Sequence, residues 1–100
     1  MTRDEILKTA SDLINGDRAK DYGPAKKNHE DIAVGWSVIF GVPVNAHQVA
    51  RAMAWLKIAR LSKTDTHVDS YVDAAAYIAL AGEIATEAEQ DNVKPFTRQA

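Results

Sequence analysis

Charged side chains interrupt two apolar helical stripes, and their types and spacing could support chemistry. At roughly 100° per residue, the first stripe groups Arg60, and Lys57 near its edge, with apolar residues. The second stripe groups Asp69 and Asp73 with Tyr77 and further apolar positions. Because a charge on a buried face costs free energy unless it is paired, these residues require a partner, a ligand or both.

The two aspartates allow two interpretations, which the sequence leaves open. Asp69 and Asp73 are four residues apart, so both carboxylates project from one helical face and could supply oxygen ligands to Mg²⁺. They could equally accept from Lys57 and Arg60 across a helical hairpin, as a salt-bridge cluster that only fixes packing. We predict that Arg60 pairs with Asp73, or with Asp69, in a buried ion pair whose loss costs roughly 3–5 kcal/mol.

The segment 16–24 is a glycine-bounded connection that could contact a phosphate. It contains Arg18, whose guanidinium can bind a phosphate through two hydrogen bonds, and Tyr22, which can stack on a base or hydrogen-bond its edge. It also precedes a helix N-terminus, a position that attracts phosphates. The segment has no Walker-type glycine pattern, and a solvated loop is the alternative interpretation.

Four helices must position these residues, and the predicted fold class is all-α. The first helix begins at the capping box Thr2-Arg3-Asp4-Glu5 and ends at Asn15-Gly16; the second runs from Pro24 to about Phe40, with Gly41 as its stop. The third opens at Asn45 and runs to about Lys63, and the fourth spans about Asp69 to Gln90. We predict one helical domain over 1–90 and a flexible or partner-facing tail over 91–100.

The fourth helix is apolar on two sides. Opposite the stripe that holds Asp73, a second face carries small and apolar residues: Tyr71, Ala75, Ile78, Ala79, Gly82 and Ala85. A domain of 100 residues cannot easily cover both faces of one helix. We therefore predict that this helix is central or lies in the seam of a homo-oligomer, at least a dimer.

Composition excludes several classes of function. The formal net charge is −2, so DNA binding and membrane association through bulk charge are not expected. The chain has no cysteine, which excludes disulfides and thiolate metal sites. Its serines lack the partners of a catalytic triad, and its histidines are not spaced as metal ligands within one helix. His29 lies on an apolar stripe and is expected to be a hydrogen-bonded packing residue. The sequence shows neither a signal peptide nor a membrane span, so a cytoplasmic location in the host cell is expected.

A set of short motifs points to a family. It comprises Arg18, Tyr22-Gly23-Pro24, Asn28, Trp36, Leu56-Lys57-Ile58-Ala59-Arg60-Leu61 and Asp69-Ser70-Tyr71-Val72-Asp73-Ala74-Ala75-Ala76-Tyr77. Together these motifs, within roughly residues 10–85, resemble a family of small phage-encoded proteins of unassigned function. The resemblance implies a bacteriophage or prophage origin and an all-α fold.

More remotely, the third and fourth helices are similar to the hairpin of MazG-type nucleoside triphosphate pyrophosphohydrolases. Those enzymes hold Mg²⁺ with a Glu-x-x-Glu pair on one helix and a Glu-x-x-Asp pair on the next. Asp73 matches the final Asp, but Lys57 and Arg60 stand where the first two glutamates would be, and Ser70 where the third would be. Two cations there would repel Mg²⁺. The same motif also resembles a phage family that includes a metal-independent nucleotide kinase.

These observations favour binding over catalysis. The expected function is a phage nucleotide-binding protein that could sequester a nucleotide or cyclic-nucleotide immune signal without hydrolysis. Its predicted ligand-binding residues are Arg18, Tyr22, Lys57, Arg60, Asp69, Asp73 and Tyr77, with no catalytic residue, resident metal or cofactor. The alternatives are a MazG-like pyrophosphohydrolase or a nucleotide kinase, of which the hydrolase would need Mg²⁺, and a protein-interaction module in which the charged cluster only joins helices.

Overall fold

The predicted all-α fold is confirmed by a computed structural model that describes residues 1–16 and 24–90, with side chains up to residue 87. Four helices form: α1 (Arg3–Asn15), α2 (Ala25–Phe40), α3 (Ala46–Arg60) and α4 (Val68–Gln90). The described residues contain no strand. None of the described helices is long and apolar enough to cross a bilayer. The predicted tail over 91–100 lies outside the described residues.

Local capping explains where α1 and α3 begin. The Glu5 amide donates to Thr2 Oγ1 at 3.2 Å, and the Thr2 amide donates back to Glu5 Oε1 at 3.3 Å. This is the capping box that the sequence predicts. The backbone hydrogen bond from Thr2 favours the ionised carboxyl and lowers the pKa of Glu5. At α3, Asn45 is the N-cap, and its amide donates to Gln48 Oε1 at 2.9 Å.

Two helix ends show how the backbone stops the helical pattern. Gly41 adopts the left-handed conformation with φ of 69°, and its amide donates to Ser37 O at 2.9 Å, which ends α2 as predicted. Helix α3 ends at Arg60, earlier than the predicted Lys63, because the next amides donate to carbonyls three residues back and form a tighter turn. Pro24 is the N-cap of α2 rather than its first helical residue.

Helix α4 is the central element. Helix α3 packs antiparallel along it, α1 packs on another flank, and α2 packs mainly on α3. One buried cluster joins α1 to α4 and contains Ala10, Val72 and Ala76. A second joins α3 to α4 and contains Ala50, Leu80 and Ala81. Most of these residues are alanines, whose small side chains let the helix backbones approach closely.

An ion pair also attaches the start of α2 to α4. Lys26, in the first turn of α2, pairs with Glu87 near the end of α4. Ala25 packs beside it against the buried cluster of α3 and α4. The N-terminal end of α2 is therefore held at the end of α4 that lies away from the α3–α4 turn.

Candidate functional site

An interhelical ion pair joins α3 to α4 near the turn that connects them. Lys57 Nζ lies 3.3 Å from Asp73 Oδ2, and the two side chains are only 16% and 24% exposed. Lys57 is in the last turn of α3 and Asp73 in the second turn of α4. Each charge loses much of its hydration there, so each depends on the other for compensation.

The prediction that Arg60 pairs with Asp73 or Asp69 was wrong. Arg60 is exposed and forms no ion pair with any described residue, and Asp69 is exposed as well. The physical reason is the register of the hairpin: Ala50 packs against Leu80, and two turns further along each helix Lys57 meets Asp73. Arg60, one turn nearer the connection, has passed the level of Asp73 and extends into solvent.

Tyr77 lies one turn beyond Asp73 on α4 and contacts a buried histidine of α2. The ring centroids of Tyr77 and His29 are 5.9 Å apart in an edge-on arrangement. His29 is 6% exposed, and its Nδ1–H donates to Ala25 O at 2.8 Å. His29 is thus the hydrogen-bonded packing residue that the sequence predicts.

The turn between α3 and α4 is fixed by side-chain hydrogen bonds. Ser70 is 1% exposed, and its Oγ lies 2.7 Å from His67 Nδ1. Tyr71 Oη donates to Asp65 O at 2.8 Å. The short buried hydroxyl of Ser70 thus joins the first turn of α4 to the ring of His67, just before the helix. These bonds fix the first turn of α4, which contains Asp69 and precedes the turn that contains Asp73.

The described residues do not assemble a metal site. Within residues 1–16 and 24–90, no three histidine, aspartate or glutamate side chains come together as metal ligands. Asp73 is occupied by Lys57, and Asp69 stands exposed one turn away. The cations Lys57 and Arg60 lie one turn apart near the end of α3, the first paired with Asp73 and the second exposed.

The sequence-predicted site is brought together only in part. Lys57, Asp73 and Tyr77 lie on the inner side of the α3–α4 hairpin, whereas Arg60 and Asp69 lie exposed near its turn. Arg18 and Tyr22 lie outside the described residues, so their approach to Lys57 stays a prediction. Sequence reasoning missed the contact between His29 and Tyr77. Both residues are on apolar stripes, but nothing local indicates that α2 and α4 meet there.

Comparison with known proteins identifies relatives. Residues 5–85 match the family described as "Domain of unknown function (DUF6378)". The chain is 49% identical over 73 residues to the Gene 55 protein of Mycobacterium phage L5, covering 72% of this chain and 47% of that relative. It is 37% identical over 84 residues to the Gene 55 protein of Mycobacterium phage D29, covering 84% of this chain and 56% of the relative. The chain therefore spans about half the length of these relatives. No solved structure matches it significantly.

Proposed function

The chain belongs to the DUF6378 family, and from this premise we propose that it is a phage nucleotide-binding protein that holds its ligand without hydrolysing it. The observation that carries the proposal is the pair of cations on α3. Arg60 presents an exposed guanidinium with no ion pair among the described residues, one turn beyond the largely buried Lys57. A phosphate placed between them would receive charge-assisted hydrogen bonds from both.

The Lys57–Asp73 pair makes this position suitable for an exchangeable ligand. Lys57 is held in place by Asp73, and its side chain retains 16% exposure, so it is ordered without being fully sealed from solvent. A second phosphate oxygen could approach Nζ while Asp73 remains in contact, because an ammonium has three donors. The partial burial strengthens any such contact compared with a fully solvated lysine.

The remaining groups would recognise the nucleoside. We assign base or sugar contacts to Tyr22 or Tyr77 and a two-bond phosphate contact to Arg18. Asp69 and Asp73 would accept hydrogen bonds from ligand hydroxyl or amino groups. The chain carries a net charge of −2, so anion affinity has to come from this local group of cations. A purpose consistent with phage relatives is sequestration of a nucleotide or cyclic-nucleotide signal used in host immunity.

The test is a native mass spectrum of the protein incubated with nucleoside mono-, di- and triphosphates and cyclic dinucleotides. We expect at least one nucleotide to remain bound and unchanged in mass. Arg60→Gln should then weaken its binding by roughly 10- to 150-fold, the cost of one charge-assisted contact. Arg51→Gln is the matched control, because Arg51 is exposed on the same helix but away from Lys57.

Variants in the segment 16–24 test the part of the proposed site that Arg18 and Tyr22 would supply. Arg18→Ala and Tyr22→Ala should weaken the same ligand while leaving the fold unchanged. If no nucleotide in the panel remains bound or raises the melting temperature of the unmodified protein, nucleotide binding is contradicted. The protein-interaction interpretation then becomes the better one.

The alternative is a MazG-like pyrophosphohydrolase or a nucleotide kinase, and Asp73 is the residue that favours it. Metal-dependent hydrolysis would require Asp73 to leave Lys57 and bind Mg²⁺ together with substrate phosphates. We expect isothermal titration of the free protein with Mg²⁺ to show no saturable single site. A saturable isotherm, or conversion of a triphosphate to a monophosphate in the mass spectrum, would favour the enzyme instead.

A further inference from the structure

We propose that α4 pairs with α4 of a second copy of this chain, antiparallel, through a continuous apolar seam. The seam consists of Val68, Tyr71, Ala75, Ile78, Gly82 and Ala85. Its members are spaced alternately three and four residues apart. This is the repeat by which one helix packs along another, and it persists over five turns of α4.

Most of this seam is left uncovered by the described helices of the same chain; Ala75 alone among its members packs at the edge of the α1–α4 cluster. Ile78 is 51% exposed, Tyr71 43% and Val68 38%, although all three are large apolar or aromatic residues. Helices α1 and α3 pack mainly on other sides of α4, where Val72, Ala76 and Leu80 are buried. The seam carries no charged side chain, and its large apolar members have no partner among the described residues, which is unlike an ordinary solvated face.

Gly82 leaves room on the seam for a side chain from another molecule. It lies within α4, where glycine destabilises a helix by about 0.5–1 kcal/mol relative to alanine. A Cβ atom built at Gly82 would meet nothing within 4 Å, so the packing among residues 1–16 and 24–87 does not account for a glycine there. A bulky residue from another molecule seated over this position would account for it.

A second copy of α4 supplies such a residue in register. In an antiparallel pair related by a two-fold axis between positions 75 and 78, Tyr71 lies over the partner's Gly82. The same axis places Val68 against the partner's Ala85 and Ala75 against the partner's Ile78. Each of these three residue pairs across the axis joins a larger side chain to a smaller one, which favours close packing of the two helices. This self-complementarity identifies the occupant as a second copy of the chain.

The size of the seam sets the expected strength of the pair. Positions 68 to 85 extend about 26 Å along the helix axis at 1.5 Å per residue. On α3, Ile58 is 42% exposed and lies near the level of Tyr71, so it can flank the contact. We expect a total buried area near the lower end of specific interfaces, on the order of 1,000 Å². A pair of this size should be reversible, so the measured mass should depend on protein concentration.

The experiment measures mass by light scattering or sedimentation across protein concentration. The unmodified chain should reach about twice its 10.9 kDa mass. Ile78→Glu should remain at the single-chain mass over the same range, because it places a charge at the centre of the seam. Val38→Glu is the matched control: Val38 is 79% exposed on α2, outside the seam, and its replacement should leave the dimer intact.

A size-swap tests the register of the pair. Gly82→Leu should abolish dimerisation, because the leucine side chain would collide with Tyr71 of the partner subunit. Adding Tyr71→Ala should restore dimerisation, because the large residue is then at position 82 and the small one at position 71, opposite each other as before. Gly35→Leu on α2 is the control, since a Cβ at Gly35 also meets nothing within 4 Å. A single-chain mass for the unmodified protein at about 100 µM, or a dimer unaffected by Ile78→Glu, overturns the proposal.

Discussion

The two faces of α4 carry apolar residues at similar spacing but differ in what they contact. The inner face presents Asp73, Tyr77 and Leu80 to side chains from α2 and α3. The outer face presents Tyr71 and Ile78 to solvent. Both faces look like core in the sequence, yet among the described residues the inner face is buried and most of the outer face is exposed. Apolar periodicity therefore shows that a surface needs a partner, and tertiary contacts show whether the same molecule provides it.

The largest difference between the faces should appear in unfolding free energy. Leu80→Ala removes a side chain that is 6% exposed in the α3–α4 cluster, and we expect a loss of about 3 kcal/mol. Ile78→Ala on the outer face should cost less than about 0.5 kcal/mol in the isolated chain, because its side chain is half exposed. Urea unfolding at a concentration where the protein is monomeric measures both. Equal losses would mean that the outer face is packed within the chain.

Removing a charge from the inner face should give the next largest loss of unfolding free energy. Lys57→Ala leaves the Asp73 carboxylate largely buried and unpaired, and we expect a loss of about 2 kcal/mol, below the range for fully buried pairs. Lys8→Ala removes a partner of Asp12 in an ion pair that is 76% and 66% exposed, and should cost less than about 0.5 kcal/mol. Combining Lys57→Met with Asp73→Leu should recover most of the loss. A double variant as unstable as Lys57→Ala would show that the unpaired charge is not the cause.

Glycine replacement gives a smaller effect of opposite sign. Gly82→Ala should raise the unfolding free energy of the monomeric chain by about 0.5–1 kcal/mol, because the new Cβ enters open space and restricts the unfolded chain. Gly35→Ala should give a similar gain, since it also lies in a helix with open space around it. The comparison is made by thermal unfolding at low protein concentration. A destabilising effect at Gly82 alone would show that α4 has a close neighbour within the chain.

Much of the fold was predictable because its signals are local. The Thr2 and Glu5 capping box, the left-handed stop at Gly41 and the Asn45 cap each depend on a few adjacent residues, and all are present in the structure. Helical spacing likewise identified His29 as a packing residue. The end of α3 was less predictable, since Leu61 and the residues after it keep helical preference while their amides form a tighter turn.

The candidate site was less predictable because it depends on how helices align. Lys57 and Arg60 both fall on the same apolar stripe, and either could face Asp73 until the register of α3 on α4 is known. That register is set by remote contacts such as Ala50 with Leu80. The contact of His29 with Tyr77 has the same origin, because it requires α2 to pack on α4. Periodicity indicates which face is buried, but not which residue lies opposite.

The smallest expected effect concerns Arg60, and it separates stability from binding. Because Arg60 is exposed and has no ion pair among the described residues, Arg60→Ala should change the unfolding free energy by less than about 0.5 kcal/mol. The sequence alone had suggested a cost several times larger. The check is the denaturant midpoint of Arg60→Ala beside that of Lys57→Ala, both measured without nucleotide. A large shift for Arg60→Ala would show that its guanidinium has a structural partner in solution. An unchanged midpoint, joined to the loss of affinity expected for Arg60→Gln, would mean that this cation is held at the surface for a ligand rather than for the fold.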